Sequence, residues 1–111
     1  MLKRSFRLRK NSDFQRLYKT GRRFSTPNLA LYYLPSNLEY SQVGFVVSKK
    51  VSKSAVVRNN LRRRASAIIE QQYHKIYQPF KMIILIRKNY TGLTPEDLNS
   101  ELSKLVSKVV K

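Results

Sequence analysis

Apolar positions change their spacing several times along the chain, and each change predicts an element. Phe14, Leu17 and Tyr18 recur at i, i+3 and i+4, the spacing of one helix face. Ser12 and Gln15 stand at capping-box spacing, with Asp13 in the first turn and Gly21 as a stop. A short helix is expected over 13–20. Three strand-like runs follow: a weak one at 22–26, a wholly apolar or aromatic one at 29–34, and one at 42–48 carrying Val43, Phe45, Val46 and Val47. Pro27-Asn28 and Pro35-Ser36-Asn37 supply turns between them.

A long helix is predicted over 55–73. Val57, Leu61, Ala65 and Ile68 fall within about 80° of one another on it, and Arg58, Asn59, Arg62 and Arg63 take a neighbouring arc. Beyond Pro79, residues 80–87 form a nearly continuous apolar run, the mark of a central strand buried on both faces. Thr94-Pro95-Glu96-Asp97 is a helix start, with Thr as N-cap and acids in the first turn, and Leu98, Leu102, Leu105 and Val109 give that helix one stripe. The element order is α-β-β-β-α-β-α. It predicts an α/β (α+β) sandwich in which helices pack on a four-stranded sheet. Residues 1–10 set Lys3, Arg4, Arg7, Arg9 and Lys10 around Leu2, Phe6 and Leu8, and read as a mostly extended basic arm. With no internal repeat and no Pro/Gly-rich linker, residues 1–111 are expected to form a single domain.

Composition narrows the chemistry. Lys and Arg number 23 against six acids, a formal charge of +17. A domain this basic repels itself, so a polyanionic partner is expected, nucleic acid ahead of an acidic membrane surface. The longest apolar runs, 29–34 and 82–86, are strand-sized, far short of the ~20 residues of a membrane span. No apolar stretch of signal-peptide type follows the basic start, and a cytoplasmic location is expected. There is no Cys and only one His, His74, so neither disulfides nor a Cys- or His-built zinc site is available.

Between residues 49 and 64 lie seven cations and no acid: Lys49, Lys50, Lys53, Arg58, Arg62, Arg63 and Arg64. A solvated helix face usually carries Glu partners at i,i+4, and none is present. Arg58 and Arg62 instead repel each other at that spacing, which phosphate would relieve; Arg forks suit its oxygens, and Asn59 adds a neutral donor and acceptor. Phe14 and Tyr18 share a helix face, and either Tyr32 or Tyr33 must point outward from the second strand. Spacing fits core packing for Phe14, or a stacking surface for single-stranded bases with Arg16 and Lys19 beside it. The acids Asp13, Glu39, Glu70, Glu96, Asp97 and Glu101 are mostly scattered. A protein-only nuclease would need clustered carboxylates, or a His with a partner for acid and base roles. His74 is better read as structural or exposed.

The run Val46-Val47-Ser48-Lys49-Lys50, followed by Ala55-Val56-Val57-Arg58-Asn59-Asn60-Leu61-Arg62-Arg63, resembles the signature of the bacterial ribonuclease P protein component. Leu8-Arg9-Lys10-Asn11 and Asp13-Phe14-Gln15 fit the same family, and the resemblance covers nearly the whole chain. It implies a left-handed βαβ crossover, against the general rule. It implies contact with the catalytic RNA through Lys49, Lys50, Lys53, Arg58, Asn59, Arg62 and Arg63, and a cleft for the 5′ leader of precursor tRNA using Phe14, Tyr18, Tyr32 and Arg16. The protein then has no catalytic side chain: the RNA hydrolyses the phosphodiester, with Mg²⁺ bound mainly by the RNA. A metal-binding loop is associated with the fold, its ligands unassigned here.

Three positions depart from the family pattern. Arg-Asn-Arg becomes Arg58-Asn59-Asn60, a modest loss for which Arg64 is expected to compensate. Ser66 stands where many relatives carry Arg, and Tyr18 where Phe is frequent, a change that keeps stacking. The alternative is a ribosomal or general structural RNA-binding protein, which the charge permits equally.

Overall fold

A computed structural model describes residues 4–73, 79–88 and 95–108. After a single 3-10 turn at Arg4–Phe6 the elements run α1 (Asn11–Thr20), β1 (Arg22–Ser25), β2 (Leu29–Pro35), β3 (Gln42–Val47), α2 (Ala55–Gln72), β4 (Phe80–Ile86) and α3 (Pro95–Ser107). The predicted order holds throughout. His74, Thr94 and Val109, each singled out above, lie outside the described residues.

The four strands form one mixed sheet in the order β1-β2-β4-β3. β1 and β2 make an antiparallel hairpin, β2 and β4 are antiparallel, and β3 and β4 are parallel, joined by the α2 crossover. The continuous apolar run of β4 takes the interior place its sequence predicts, flanked by β2 and β3. Alternation then assigns its side chains to two layers. Met82, Ile84 and Ile86 face the larger core, where they meet Leu29 and Leu31 of β2, Leu61, Ala65 and Ile69 of α2, and Leu98, Leu102 and Leu105 of α3. Ile83 faces the opposite side and meets Leu17 of α1 and Leu8, with Phe14, Tyr32, Leu34 and Val46 around them. So α2 and α3 cover one face and α1 the other.

Three local expectations are corrected, and the Gly21 stop holds. α1 begins at Asn11, with Lys10 as its cap and no side-chain cap bond. Ser12 is therefore already inside the helix, and the capping-box spacing of Ser12 and Gln15 is not used. The Lys10 carbonyl instead accepts from the backbone N–H groups of Asp13 and Phe14 at 3.1 and 3.3 Å. Gly21 does end α1, in extended rather than left-handed backbone (φ −69°, ψ 151°). A Cβ there would come within 2.5 Å of the Leu17 carbonyl oxygen, which favours glycine by close approach. On α2 the fully buried residue of the last turns is Ile69, while Ile68 is half-buried. Leu61, Ala65 and Ile69 at i, i+4, i+8 centre the stripe further round than predicted, and Arg58 and Arg62 become half-buried flanks of it. The N-terminal segment, expected to be mostly extended, starts with the 3-10 turn and then joins the sheet: Arg7 bridges Val43 in parallel, and Leu8 N–H donates to the Val43 carbonyl at 3.1 Å.

Candidate nucleic-acid interface

α2 carries its basic arc beside β3, the edge strand along which the N-terminal segment lies. Ser54 caps the helix, its side-chain oxygen accepting from Val57 N–H at 3.3 Å, a cap that fixes where the cationic run enters the helix. One turn in, the Arg58 guanidinium donates to the Ser52 carbonyl at 3.0 Å and ties the loop ahead of α2 to its first turn. Arg62 donates to the side-chain oxygen of Asn59. Both half-buried arginines are thus oriented by neutral oxygens, which fix the guanidinium without cancelling its charge. Asn59 and Arg63 are exposed, as are Lys49, Lys50 and Lys53 on the loop leading in.

Asn59, Arg62, Arg63 and the buried Ser66 form one wall of a hollow of about 320 Å³. The opposite wall is Arg7, Leu8 and Arg9, and Val43, Gly44 and Phe45 form the floor. Ser66 is 2% exposed at this wall. Asn60 is exposed and Arg64 half-buried, and neither lines it.

On the other face, α1 lies along β2. Tyr18 is 45% exposed and meets the edge of Tyr32 with ring centroids 5.0 Å apart. Tyr32 is the outward tyrosine on this side; Tyr33 points to the α2/α3 layer, stacked on Phe24 at 5.7 Å. Burial pushes the Tyr18 phenol above its ordinary pKa, and the neighbouring Tyr32 phenol adds to the shift. The Tyr18 ring therefore presents a neutral phenol at physiological pH.

Phe14 is half-buried in the α1-side cluster, and its ring tip lies over Gly44. Its place in the fold is one of packing between α1 and β3. Arg16 stands elsewhere: it lines a small depression with Asp13, Leu17, Leu34, Pro35, Asn37 and Lys81. On this face a different cation, Arg23, sits over an aromatic, 5.4 Å from the Tyr32 ring centroid, and sequence reasoning missed it. The signal was the hairpin register, which pairs Arg23 with Tyr32.

No three His, Cys, Asp or Glu side chains converge among the described residues. Asp13 pairs with Lys81 at 3.1 Å. No described helix is long and apolar enough to cross a membrane.

Comparison with known proteins decides what this basic α/β architecture is. The family model for ribonuclease P matches residues 2–110. The chain belongs to the ribonuclease P protein family. Among curated ribonuclease P protein components, that of Microcystis aeruginosa is 38% identical over 106 residues, covering 92% of this chain and 88% of its own. That of Clostridium kluyveri is 32% identical over 105 residues and covers 93% of both. The solved ribonuclease P protein of Staphylococcus aureus superposes with a TM-score of 0.84 at 26% identity, over 96% of this chain and 98% of that one. The Thermotoga maritima protein shares the fold, with a TM-score of 0.82 at 24% identity over 92% of this chain and 96% of its own. The chain is thus the protein subunit of ribonuclease P, a ribonucleoprotein endoribonuclease of tRNA 5′ processing, and its partner is the ribonuclease P RNA.

Proposed function

We propose that this ribonuclease P protein uses two faces for two RNAs. α2 and its approach, through Lys49, Lys50, Lys53, Arg58, Asn59, Arg62 and Arg63, hold the catalytic RNA. The α1–β2 face, through Phe14, Tyr18 and Tyr32, receives the single-stranded 5′ leader of precursor tRNA, with Arg23 beside Tyr32 in the place first given to Arg16.

The observation that carries the assignment is the mode of fixing the α2 arginines. Arg58 and Arg62 are oriented by Ser52 and Asn59, in a stretch from 49 to 64 that holds no acid. Preorganised and uncancelled charge is what a phosphate backbone requires. The Tyr18–Tyr32 pair offers half-exposed ring surface, on which bases stack whatever their sequence.

Hydrolysis is assigned to the RNA. Mg²⁺ prefers several oxygen ligands and keeps much of its water, and the described side chains do not fit it because they gather no carboxylate group. The RNA is proposed to hold the ion, as the family resemblance implies. The protein's part is to bind, to neutralise phosphate repulsion between the two RNAs, and to orient the leader.

Reconstitution tests this. Protein, ribonuclease P RNA and leader-bearing precursor are mixed at low Mg²⁺, where RNA–RNA repulsion is least screened. Stimulated 5′ cleavage is expected. Absence of stimulation would return the chain to general RNA binding, and cleavage without the RNA would place catalysis on the protein.

A further inference from the structure

The N-terminal segment is held by more contacts than a loose basic arm would have. Phe6 sits between two tyrosines from distant parts of the chain, stacked on Tyr73 at 4.6 Å and tilted against Tyr40 at 5.5 Å. The Tyr73 hydroxyl donates to the Ser41 carbonyl at 2.6 Å, and the Ser41 hydroxyl oxygen accepts from Phe80 N–H at 2.9 Å. The aromatic clamp is thereby tied to the end of α2 and the starts of β3 and β4. Gln42 donates its side-chain amide to the Ser5 carbonyl at 3.2 Å, and Leu8, 5% exposed, plugs into the α1-side cluster next to Leu17 and Ile83.

Fixing Phe6 and Leu8 fixes what lies between and beyond them. Arg7 and Arg9 are exposed, and both line two separate hollows. One is the hollow shared with Asn59, Arg62 and Arg63 of α2. The other, of about 490 Å³, is lined also by Lys10, Asp13, Asn37, Tyr40, Gln42 and Lys81. Its carboxylate, Asp13, is engaged by Lys81. The two arginines therefore crown a ridge that extends the cationic face of α2 across the β3 edge.

We propose that Arg7 and Arg9 form a further phosphate-binding site for the catalytic RNA, continuous with α2, and that Phe6 is its positioning residue. The site rests on the two-face assignment above and adds a ridge to it. The occupant is the backbone of the structured RNA, because one wall of the shared hollow is α2 itself, whereas the Tyr18–Tyr32 pair of the leader face lines neither hollow. A clamped ridge would be populated before RNA arrives, so its arginines lose less freedom on binding.

The experiment uses the full chain and measures affinity for ribonuclease P RNA across a salt series. Arg7→Ala/Arg9→Ala is expected to bind about tenfold more weakly, with a salt slope shallower by ~1.8, two phosphate contacts' worth. Phe6→Ala is expected to lose affinity in the same direction, and adding it to the double arginine variant should cost nothing more, since the ridge is already gone. Phe6→Tyr, which keeps the ring, restores binding. Amide exchange supplies a readout without RNA: Leu8 N–H is protected in the free protein and exposed in Phe6→Ala, while α2 amides stay protected.

Additive losses, or Leu8 protection that survives Phe6→Ala, would overturn the positioning role. Loss of α2 protection in Phe6→Ala would also overturn it, making Phe6 a general stability residue. An Arg7→Ala/Arg9→Ala variant that binds like the parent would overturn the ridge while the parent's selectivity for the catalytic RNA keeps the two-face assignment standing. If the parent itself shows no such selectivity, the two-face assignment fails first. A loss confined to leader-bearing precursor bound by the holoenzyme would overturn the choice of occupant and give the ridge to the leader.

Discussion

Single side chains carry separable duties at the interface. Gly44 leaves room for Phe14: a Cβ there would meet the Phe14 ring tip at 2.7 Å and Leu8 Cβ at 3.3 Å. The ring tip can move, so Gly44→Ala is expected to cost only about 1 kcal/mol, the low end for overpacking. It should nevertheless turn Phe14 out of place and reduce the holoenzyme's preference for leader-bearing precursor over mature tRNA, in the direction of Phe14→Ala. An unchanged preference in both variants would make Phe14 a packing residue alone. On α2, Arg62→Ala should flatten the salt slope of catalytic-RNA binding by ~0.9. Asn59→Ala should weaken binding less, and its loss should overlap in part with that of Arg62→Ala, because Asn59 both faces the RNA and orients that guanidinium. Full additivity would mean that Asn59 does not orient Arg62.

Tyr18 gives a pH prediction at the same scale. Burial raises its pKa in the fold, so the neutral phenol is the favoured form. Its contribution to stability is complete below the unfolded value near ~10 and is lost as pH climbs through the higher folded value. Near-ultraviolet titration should show phenolate absorbance that lags a tyrosine peptide, and Tyr18→Phe should remove part of the lag. Titration identical to the peptide in the parent would contradict the burial.

Elements show where the sequence speaks and where it is silent. β4 could be placed centrally because seven successive residues with almost no polar member can be satisfied only by layers on both faces. The length of α2 and its basic arc were legible from periodicity, and the family resemblance supplied roles that periodicity cannot. What stayed hidden depends on contacts remote in sequence. The α1 cap failed because capping-box spacing does not tell which turn the Lys10 carbonyl will close. Arg23 was invisible until β1 registered against Tyr32, and the Phe6 clamp draws on residues 34 and 67 positions away. The sequence puts Arg16 beside Phe14 and Tyr18 on α1, and only the fold shows that it lines a depression with Asp13 and Lys81.

α1 itself is attached mainly by Leu17, 1% exposed against Ile83 and Leu8. Leu17→Ala is expected to destabilise the protein by about 2–5 kcal/mol. Since Leu8 shares that cluster, Leu8 N–H protection should fall with α1 protection in hydrogen exchange. Separate behaviour of the two would mean the N-terminal segment is held independently of α1.

At the scale of the whole molecule, the +17 charge sets opposite demands on folding and on binding. The free chain compacts 23 cations with few acids to offset them, so its own repulsion lowers stability until salt screens it. RNA binding runs the other way, because its driving force is the release of counterions, which added salt opposes. Raising monovalent salt from about 20 to about 200 mM, across which the Debye length falls severalfold, should therefore raise the Tm of the free protein while weakening its RNA complex by orders of magnitude. At low salt the RNA should replace the salt: at a hundred times Kd, a ligand of the folded state adds about 2.7 kcal/mol. The Tm of the complex should then exceed that of the free protein most at low salt, and the two should converge as salt rises. Parallel movement of both temperatures would mean that the charge is already balanced within the fold, and the cationic faces would lose their reason for being built around phosphate.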